Sequence, residues 1–207
     1  NIIPNNNSYV VDGSGVDLQW YYHQNITAST PTFLLIARLL KEKGIVEYFE
    51  AAKIVKKLYP NVIFNLLGPK DSSPDKLDSK IFKQLLSEKN VIYLGSTDDV
   101  RPFIINCHVY VLPSYHEGIP RTVLESMAIG RPVITTDVIG CKETVINGKN
   151  GFLIPCGNSK KLSEYMIWFI RNIEQCKKMG KYSRIIAENR FDVNIINSNI
   201  IKIMGLS

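Results

Sequence analysis

From Thr32 to Ile154, short wholly apolar runs alternate with longer amphipathic stretches, and this alternation constrains the fold more than any other feature of the chain. Phe33-Leu34-Leu35-Ile36 is apolar at every position, as a strand is when both faces of its sheet are covered. Gly44–Leu58 follows, with Ile45, Phe49, Ala52, Val55 and Leu58 at helical spacing, and stops before Pro60. The same reading places strands at Val62–Leu67, Val91–Leu94, Val109–Leu112, Pro132–Thr135 and Gly151–Ile154. Between them it places helices over Asp75–Glu88, Asp98–Asn106, Pro120–Ile129 and, briefly, Lys142–Asn147. Pro102 and Pro120 then fall in first helical turns, where a missing N–H is tolerated. Helices close the chain at Ser159–Asn172, Glu174–Asn189 and Val193–Ile203. Repeated strand–helix units predict an α/β fold, a doubly wound parallel sheet of about six strands with extra C-terminal helices. In such sheets ligands bind beyond the carboxyl ends of the strands, so functional residues should fall just after strands.

Composition narrows the partners. With 45% hydrophobic and 21% charged residues in 207, the chain is neither disordered nor fibrous. The formal charge of +6 suits an anionic ligand, an anionic membrane face or nucleic acid. The basic residues are dispersed without interleaved aromatics, which argues against nucleic acid. No run approaches the ~20 apolar residues of a membrane span, and Asn1–Val11 lacks a basic stretch ahead of an apolar one. Cys107, Cys141, Cys156 and Cys176 form no CxxC pair and stand at no metal-ligand spacing from the histidines. They read as free thiols in a reducing, cytoplasmic compartment, with Cys107 buried, and no metal site is expected. The first thirty residues, rich in Asn, Ser and Gly, read as a lead-in or linker, and the lack of an initiator Met suggests a fragment.

Three segments put polar residues at strand ends. Arg38 and Lys43 bracket the turn after the first core strand. Spacing alone leaves two readings, a solvated turn, which is the more ordinary, and a grip on a diphosphate beside a helix start. The second segment, Pro113 to Gly130, follows the strand Val109–Leu112 and carries Glu117, Gly118, Pro120 and Glu125. Glu125 lies five residues past Pro120, so about 7.5 Å along a helix axis. Two carboxylates at different depths, with amides between them, suit a ligand with hydroxyls at both ends and phosphates in the middle, which is the order of a nucleotide sugar. Glu117 as a helix-start residue and Glu125 as a surface glutamate is the plainer alternative. Against it, Glu125 sits among Val123, Leu124, Met127 and Ala128, where an unpaired acid is costly. The third feature, Gly68 and Gly95 at two further strand ends, leaves room for a base or phosphate or merely makes turns. GxGxxG, GxxxxGK[ST] and GxSxG are all missing. His108 and His116 read as packing or surface residues, with His116 beside Glu117.

At Glu117 and Glu125 the chain resembles the C-terminal, donor-binding half of a GT-B glycosyltransferase, of the retaining group called family 4. The resemblance runs from about Gly13 to the C-terminus. It rests on Gly-Ser-Gly-Val-Asp at 13–17, Ala-Arg-Leu-Leu-Lys-Glu-Lys-Gly at 37–44, Leu-Gly at 67–68, Tyr-Leu-Gly at 93–95 and Pro-Ser at 113–114. It continues with Glu-Gly-Ile-Pro-Arg at 117–121, Leu-Glu at 124–125, Gly-Arg-Pro-Val-Ile at 130–134 and Asn-Gly-Phe-Leu at 150–153. The wording is similar to that of bacterial transferases building capsules, other surface polysaccharides or lipid-linked oligosaccharides.

The resemblance implies a nucleotide-diphosphate sugar donor, UDP-linked by preference. Catalytic roles would fall to Glu117, at the transferred sugar, and to Arg38 and Lys43, at the leaving diphosphate. Donor contacts would come from Gly68, Gly95, Gly118, Ile119, Arg121, Thr122 and Glu125, the last on the ribose. No metal and no other cofactor is implied. Residues 1–30 would be the interdomain lead-in, 31–190 the donor-binding domain and 191–207 a crossover helix. The acceptor-binding N-terminal half would be missing, so this piece should bind nucleotide and transfer little sugar. A peripheral position at the inner membrane face, or a lipid-linked acceptor, accompanies that reading. A nucleotide-sugar-binding subunit served by a separate acceptor chain is the alternative, and a GT-B epimerase a third. Ala37, Pro69 and His108 depart from the family's usual residues, and Pro69 puts base and phosphate contacts near Gly68 in doubt.

Overall fold

The computed structural model describes residues 11–205. Six parallel strands form one sheet: β1 (Thr32–Ile36), β2 (Ile63–Leu67), β3 (Ile92–Tyr93), β4 (Val109–Leu112), β5 (Val133–Thr136) and β6 (Gly151–Ile154). Their order is β3-β2-β1-β4-β5-β6, so the chain direction across the sheet reverses between β1 and β4. Helices α1 (Ile45–Leu58), α2 (Ser79–Ser87), α3 (Arg101–Ile105), α4 (Arg121–Ile129), α5 (Ser159–Arg171), α6 (Ile173–Arg190) and α7 (Val193–Ile203) complete the fold.

The apolar strands work by alternation. Phe33 and Leu35 of β1, with Val109 and Val111 of β4, enter a core shared with α1 and α5. Leu34 and Ile36, with Tyr110 and Leu112, enter a second core beneath α4. Each side chain leaves the pleat on the face opposite its neighbour, so an all-apolar strand feeds two cores at once. The sheet expected from the sequence is therefore present.

Three expected elements differ. The helix expected from Asp75 starts at Ser79, because the Asp78 carboxylate accepts the amides of Lys80 and Ile81 and caps it there. The residues before it pair with the loop after β1, through Lys41 N–H to the Asp75 carbonyl and Leu77 N–H to the Leu39 carbonyl. Lys142–Asn147 is a series of turns rather than a helix. Its backbone groups are taken by side chains: Asn150 accepts the Ile146 amide and donates to the Thr144 carbonyl, and the Thr144 hydroxyl donates to the Cys141 carbonyl. Pro120 is extended and precedes α4 instead of opening it.

The described part of the lead-in, from residue 11 onward, is packed. Val16 is buried and exchanges backbone hydrogen bonds with Phe191 and Val193, and Asp12 makes a two-bond ion pair with Arg190. Arg131, fully buried, donates to the carbonyls of Gln24, Ile104 and Ile105, tying the lead-in to the end of α3. Among the described residues no helix is long and apolar enough to cross a membrane.

Candidate functional site

The site is built at the reversal between β1 and β4, where the two connecting loops diverge. The loop after β1 runs through Arg38 to Lys43 and turns into α1 at Gly44, whose φ is 68°. A Cβ at Gly44 would lie 2.0 Å from the Pro113 carbonyl oxygen, so only glycine lets this loop close on the one after β4. The two loops are then pinned: the Glu42 carbonyl accepts both the Tyr115 amide, at 2.7 Å, and the Ser114 hydroxyl, at 3.0 Å. From the other side Gly140, in the loop after β5, approaches so closely that a Cβ would lie 2.0 Å from the Gly118 carbonyl oxygen. The Tyr115 hydroxyl donates to Glu47 at 2.5 Å and anchors the segment to α1, and that carboxylate pushes the phenol up to about 12.

This clamping brings Lys43 and Glu117 together. The ammonium donates to Glu117 Oε1 at 2.9 Å, with both side chains largely shielded from water. Both line an open cavity of about 620 Å³ with His116, Gly118, Asp137 and Lys142. Beside it α4 begins. Among the described residues no side chain caps its start, and the amides of Arg121 and Thr122 have no acceptor. Unpaired amides at a helix start carry a partial positive charge and favour an anion.

Glu125 faces a different cavity. It is buried one turn into α4, with 7% of its surface exposed, and opens on about 360 Å³ lined by Ser14–Asp17, Trp20, Tyr21 and Arg121. Burial raises its pKa, and the Tyr21 hydroxyl and Arg121 guanidinium partly offset the rise. Both carboxylates nevertheless act on the buried Tyr110 phenol under the first turn of α4, which burial chiefly pushes up and Glu125 and Glu117 push further. The Tyr110 hydroxyl donates to the Ile36 carbonyl at 3.1 Å and is hydrogen-bonded to the Thr122 hydroxyl at 2.6 Å, joining β1, β4 and α4 at one point. The two acids thus flank the helix start rather than share one cavity.

The remaining predicted residues are placed as follows. Arg38 stands on the same carboxyl edge, 62% exposed, and its guanidinium is 3.1 Å from Asp71. Gly68 answers to packing and not to ligand room: a Cβ there would lie 1.9 Å from the Ala37 carbonyl oxygen. Its amide donates to Gly95 and its carbonyl accepts from Tyr93, so neither polar group is open. Gly95 and Gly118 both face open space. Ile119 packs against Gly13 of the lead-in. His116 lines the Lys43–Glu117 cavity, whereas His108 is buried, accepting the Thr32 amide at Nδ1 and bonded at Nε2 to the Ala28 carbonyl. Cys107 is a buried free thiol, pushed by burial up to about 12. Sequence reasoning gave no role to Tyr21, Trp20 or Lys142; Tyr21 and Trp20 lie in the segment read as a linker, and no spacing signal marks them.

A six-stranded sheet in this order, with uncapped helix amides and charged side chains at its switch point, defines a doubly wound domain suited to an anionic ligand at its carboxyl edge. The family model described as glycosyl transferases group 1 matches residues 22–185, and the chain belongs to that family. It is 33% identical over 173 residues to an N,N'-diacetylbacillosaminyl-diphospho-undecaprenol alpha-1,3-N-acetylgalactosaminyltransferase of Campylobacter jejuni, covering 84% of this chain and 44% of that protein. It is 30% identical over 161 residues to the capsular polysaccharide biosynthesis glycosyltransferase CapM of Staphylococcus aureus, covering 78% of this chain and 42% of that protein. The chain therefore spans less than half the length of these relatives. Its fold matches the Anabaena HepE structure solved with UDP, at a TM-score of 0.82 and 24% identity over 93% of this chain and 56% of that one. It also matches the C-terminal domain of the Francisella tularensis group 1 glycosyl transferase LpcC, at a TM-score of 0.74 and 23% identity, over 86% of this chain and 99% of that one. The expected Rossmann-like half of a GT-B fold is the fold found.

Proposed function

We propose that this chain is the donor-binding half of a retaining glycosyltransferase that moves a sugar from a nucleotide-diphosphate sugar, UDP-linked, to a glycan or lipid-linked acceptor in bacterial polysaccharide assembly. The observation that carries the reading is the Lys43–Glu117 pair beside the uncapped amides of Arg121 and Thr122. It is supported by the relatives' names, which specify capsule and undecaprenol-diphosphate chemistry, and by HepE, whose solved complexes contain UDP and UDP-glucose.

In this reading the diphosphate lies across the start of α4. The amides of Ile119, Arg121 and Thr122 meet its oxygens, while Pro120 has no N–H to give. Lys43 shares its charge between Glu117 and the phosphate, and Arg38 leaves Asp71 to add a second cation. As the bond to the sugar breaks, negative charge grows on the leaving diphosphate, and these fixed positive groups stabilise it more in the transition state than in the ground state. Glu117, oriented by Lys43, accepts hydrogen bonds from the transferred sugar with Gly118 beside it. Glu125 takes the ribose diol and Gly95 lies on the base side. This division of labour places charge stabilisation on protein groups and calls for no metal. Acceptor hydroxyls and the second cleft wall come from the N-terminal half that GT-B relatives possess, so sugar transfer requires that half.

Isothermal titration of the chain with UDP and GDP tests the reading. Binding that weakens about tenfold or more in Glu125→Ala is expected. Absence of nucleotide binding, or binding indifferent to that substitution, overturns it.

A further inference from the structure

Trp20 is exposed over 55% of its surface and joins neither of the two cores, yet it is held firmly in place. Its amide donates to the Asp17 carboxylate at 2.9 Å, and the Gln19 amide donates to the same oxygen at 2.8 Å. The Arg101 guanidinium lies over the indole, 3.6 Å from the ring centroid, a cation–π contact that fixes the plane of the ring. Arg101 is fixed in its turn. Its Nε and Nη2 donate to the two oxygens of Asp99 at 2.8 and 2.7 Å, and its amide donates to the same carboxylate at 3.0 Å. Asp99, Arg101 and Trp20 thus form a stack that ties the lead-in to the start of α3. The chain's other tryptophan, Trp168, instead sits edge-on to Phe152 and Phe169 and packs on a core.

A guanidinium covers one face of an indole, so the opposite face is the aromatic surface that Trp20 leaves exposed. Trp20 also lines the cavity of about 360 Å³ on which Glu125 opens, a volume within the range of small-molecule pockets. That cavity therefore combines a buried carboxylate, able to accept hydrogen bonds from a pair of hydroxyls, with an aromatic plane already oriented. A diol and a flat ring are the two parts of a nucleoside. Arg101 follows Gly95 in the loop after β3, so the plane stands on the side given to the base in the reading above.

We propose that Trp20 is the platform for the nucleobase: the base stacks on the indole face that Arg101 leaves uncovered while the ribose diol meets Glu125. This rests on the donor-site reading above. Arg101, bound by Asp99, is the positioning residue that holds the platform flat. Every base has a π-face, so the platform supplies affinity for a nucleoside diphosphate rather than a choice between uracil and guanine.

Calorimetry and tryptophan emission with UDP, on wild type, Trp20→Phe, Trp20→Leu and Glu125→Ala, test it. Trp20→Leu should weaken UDP about five- to a hundredfold, and Trp20→Phe, which keeps an aromatic face, should recover most of that loss. Pyrophosphate, the diphosphate without a base, should displace UDP with the same affinity in wild type and Trp20→Leu. UDP should quench the emission of wild type and leave that of Trp20→Leu, which comes from Trp168 alone, unchanged. Parallel loss of UDP and pyrophosphate in Trp20→Leu would show a merely structural role and overturn the proposal, as would UDP binding by that variant at wild-type strength. If wild type binds no UDP, or Glu125→Ala binds it unchanged, the donor-site reading fails and takes the platform with it. If UDP binding depends on Glu125 but not on Trp20, that reading stands and the platform alone falls. Thermal midpoints of each variant confirm that folded protein is being compared.

Discussion

The Lys43 ammonium lies 2.9 Å from the Glu117 carboxylate across 74 residues of sequence, and the close approach at Gly44 is what makes the meeting geometrically possible. Both side chains are more than four-fifths shielded, so removing either partner leaves the other's charge poorly solvated. Lys43→Met and Glu117→Gln should each cost about 1–3 kcal/mol of stability. The double variant should cost less than the two together, with a coupling of about 0.5–3 kcal/mol. Urea unfolding of the four proteins measures this, and strictly additive losses would show that the pair is not an energetic unit.

The two clamping glycines should be intolerant. Gly44→Ala and Gly140→Ala each place a methyl group 2.0 Å from a carbonyl oxygen at a positive φ, and each should cost at least about 2 kcal/mol. Gly95→Ala, also at positive φ but with open space around it, should cost only about 1 kcal/mol. Equal losses at all three sites in thermal or urea unfolding would mean that backbone conformation, not loop contact, sets the requirement.

Acid should act through His108. Its ring accepts the Thr32 amide at Nδ1, which a protonated imidazole cannot do, and burial lowers its pKa below the ordinary 6.5, although the Ala28 carbonyl works in the other direction. The unfolded chain therefore takes up the proton first, so stability falls as pH drops below about 6.5 and continues to fall until the folded pKa is reached. The slope is at most about 1.4 kcal/mol per pH unit for one proton. His108→Asn lacks this proton, so its stability deficit relative to wild type should shrink between pH 7.5 and 5. A deficit that stays constant over that range would remove His108 as the titrating group.

Glu125 carries the opposite sign. Its folded pKa is raised by burial above the unfolded 4.5, so the native state holds the proton more tightly and stability declines as pH rises from 4.5 through the folded value. Glu125→Gln should therefore melt higher than wild type at pH 8, with the gap narrowing toward pH 5, while binding UDP more weakly. At this chain length each kcal/mol appears as about 2–4 °C in the midpoint. A variant less stable than wild type at pH 8 would show that the ionised carboxyl is better satisfied than its burial implies.

The legible part of this fold is the part governed by period and punctuation. β1, β4 and α1 were readable because apolar continuity and helical spacing depend on local burial alone, and the Pro60 stop fixed a boundary. The turns at Lys142–Asn147 were not, because Asn150 and Thr144 capture backbone groups that apolar spacing had assigned to a helix. At the site, Glu117 and Lys43 were legible as strand-end residues, yet their pairing depends on two glycine contacts that only the tertiary structure contains. Glu125 was marked by its apolar neighbours, but its placement in a separate cavity depends on the lead-in, whose Tyr21 and Trp20 lie in a stretch that looked like linker. Arg131, of a residue type that is mostly exposed, is fully buried because the carbonyls at the end of α3 and in the lead-in converge on it.

In the proposed function a nucleoside diphosphate lies over the beginning of α4. Amide hydrogen exchange with and without UDP reads that directly, because the amides of Arg121 and Thr122 have no acceptor among the described residues and should exchange fast in the free protein. UDP should slow exchange at Ile119, Arg121 and Thr122 and leave the α6–α7 surface unchanged. Saturating UDP that leaves those amides as fast as before, or that protects only residues around Arg190 and Ile195, would contradict the assignment.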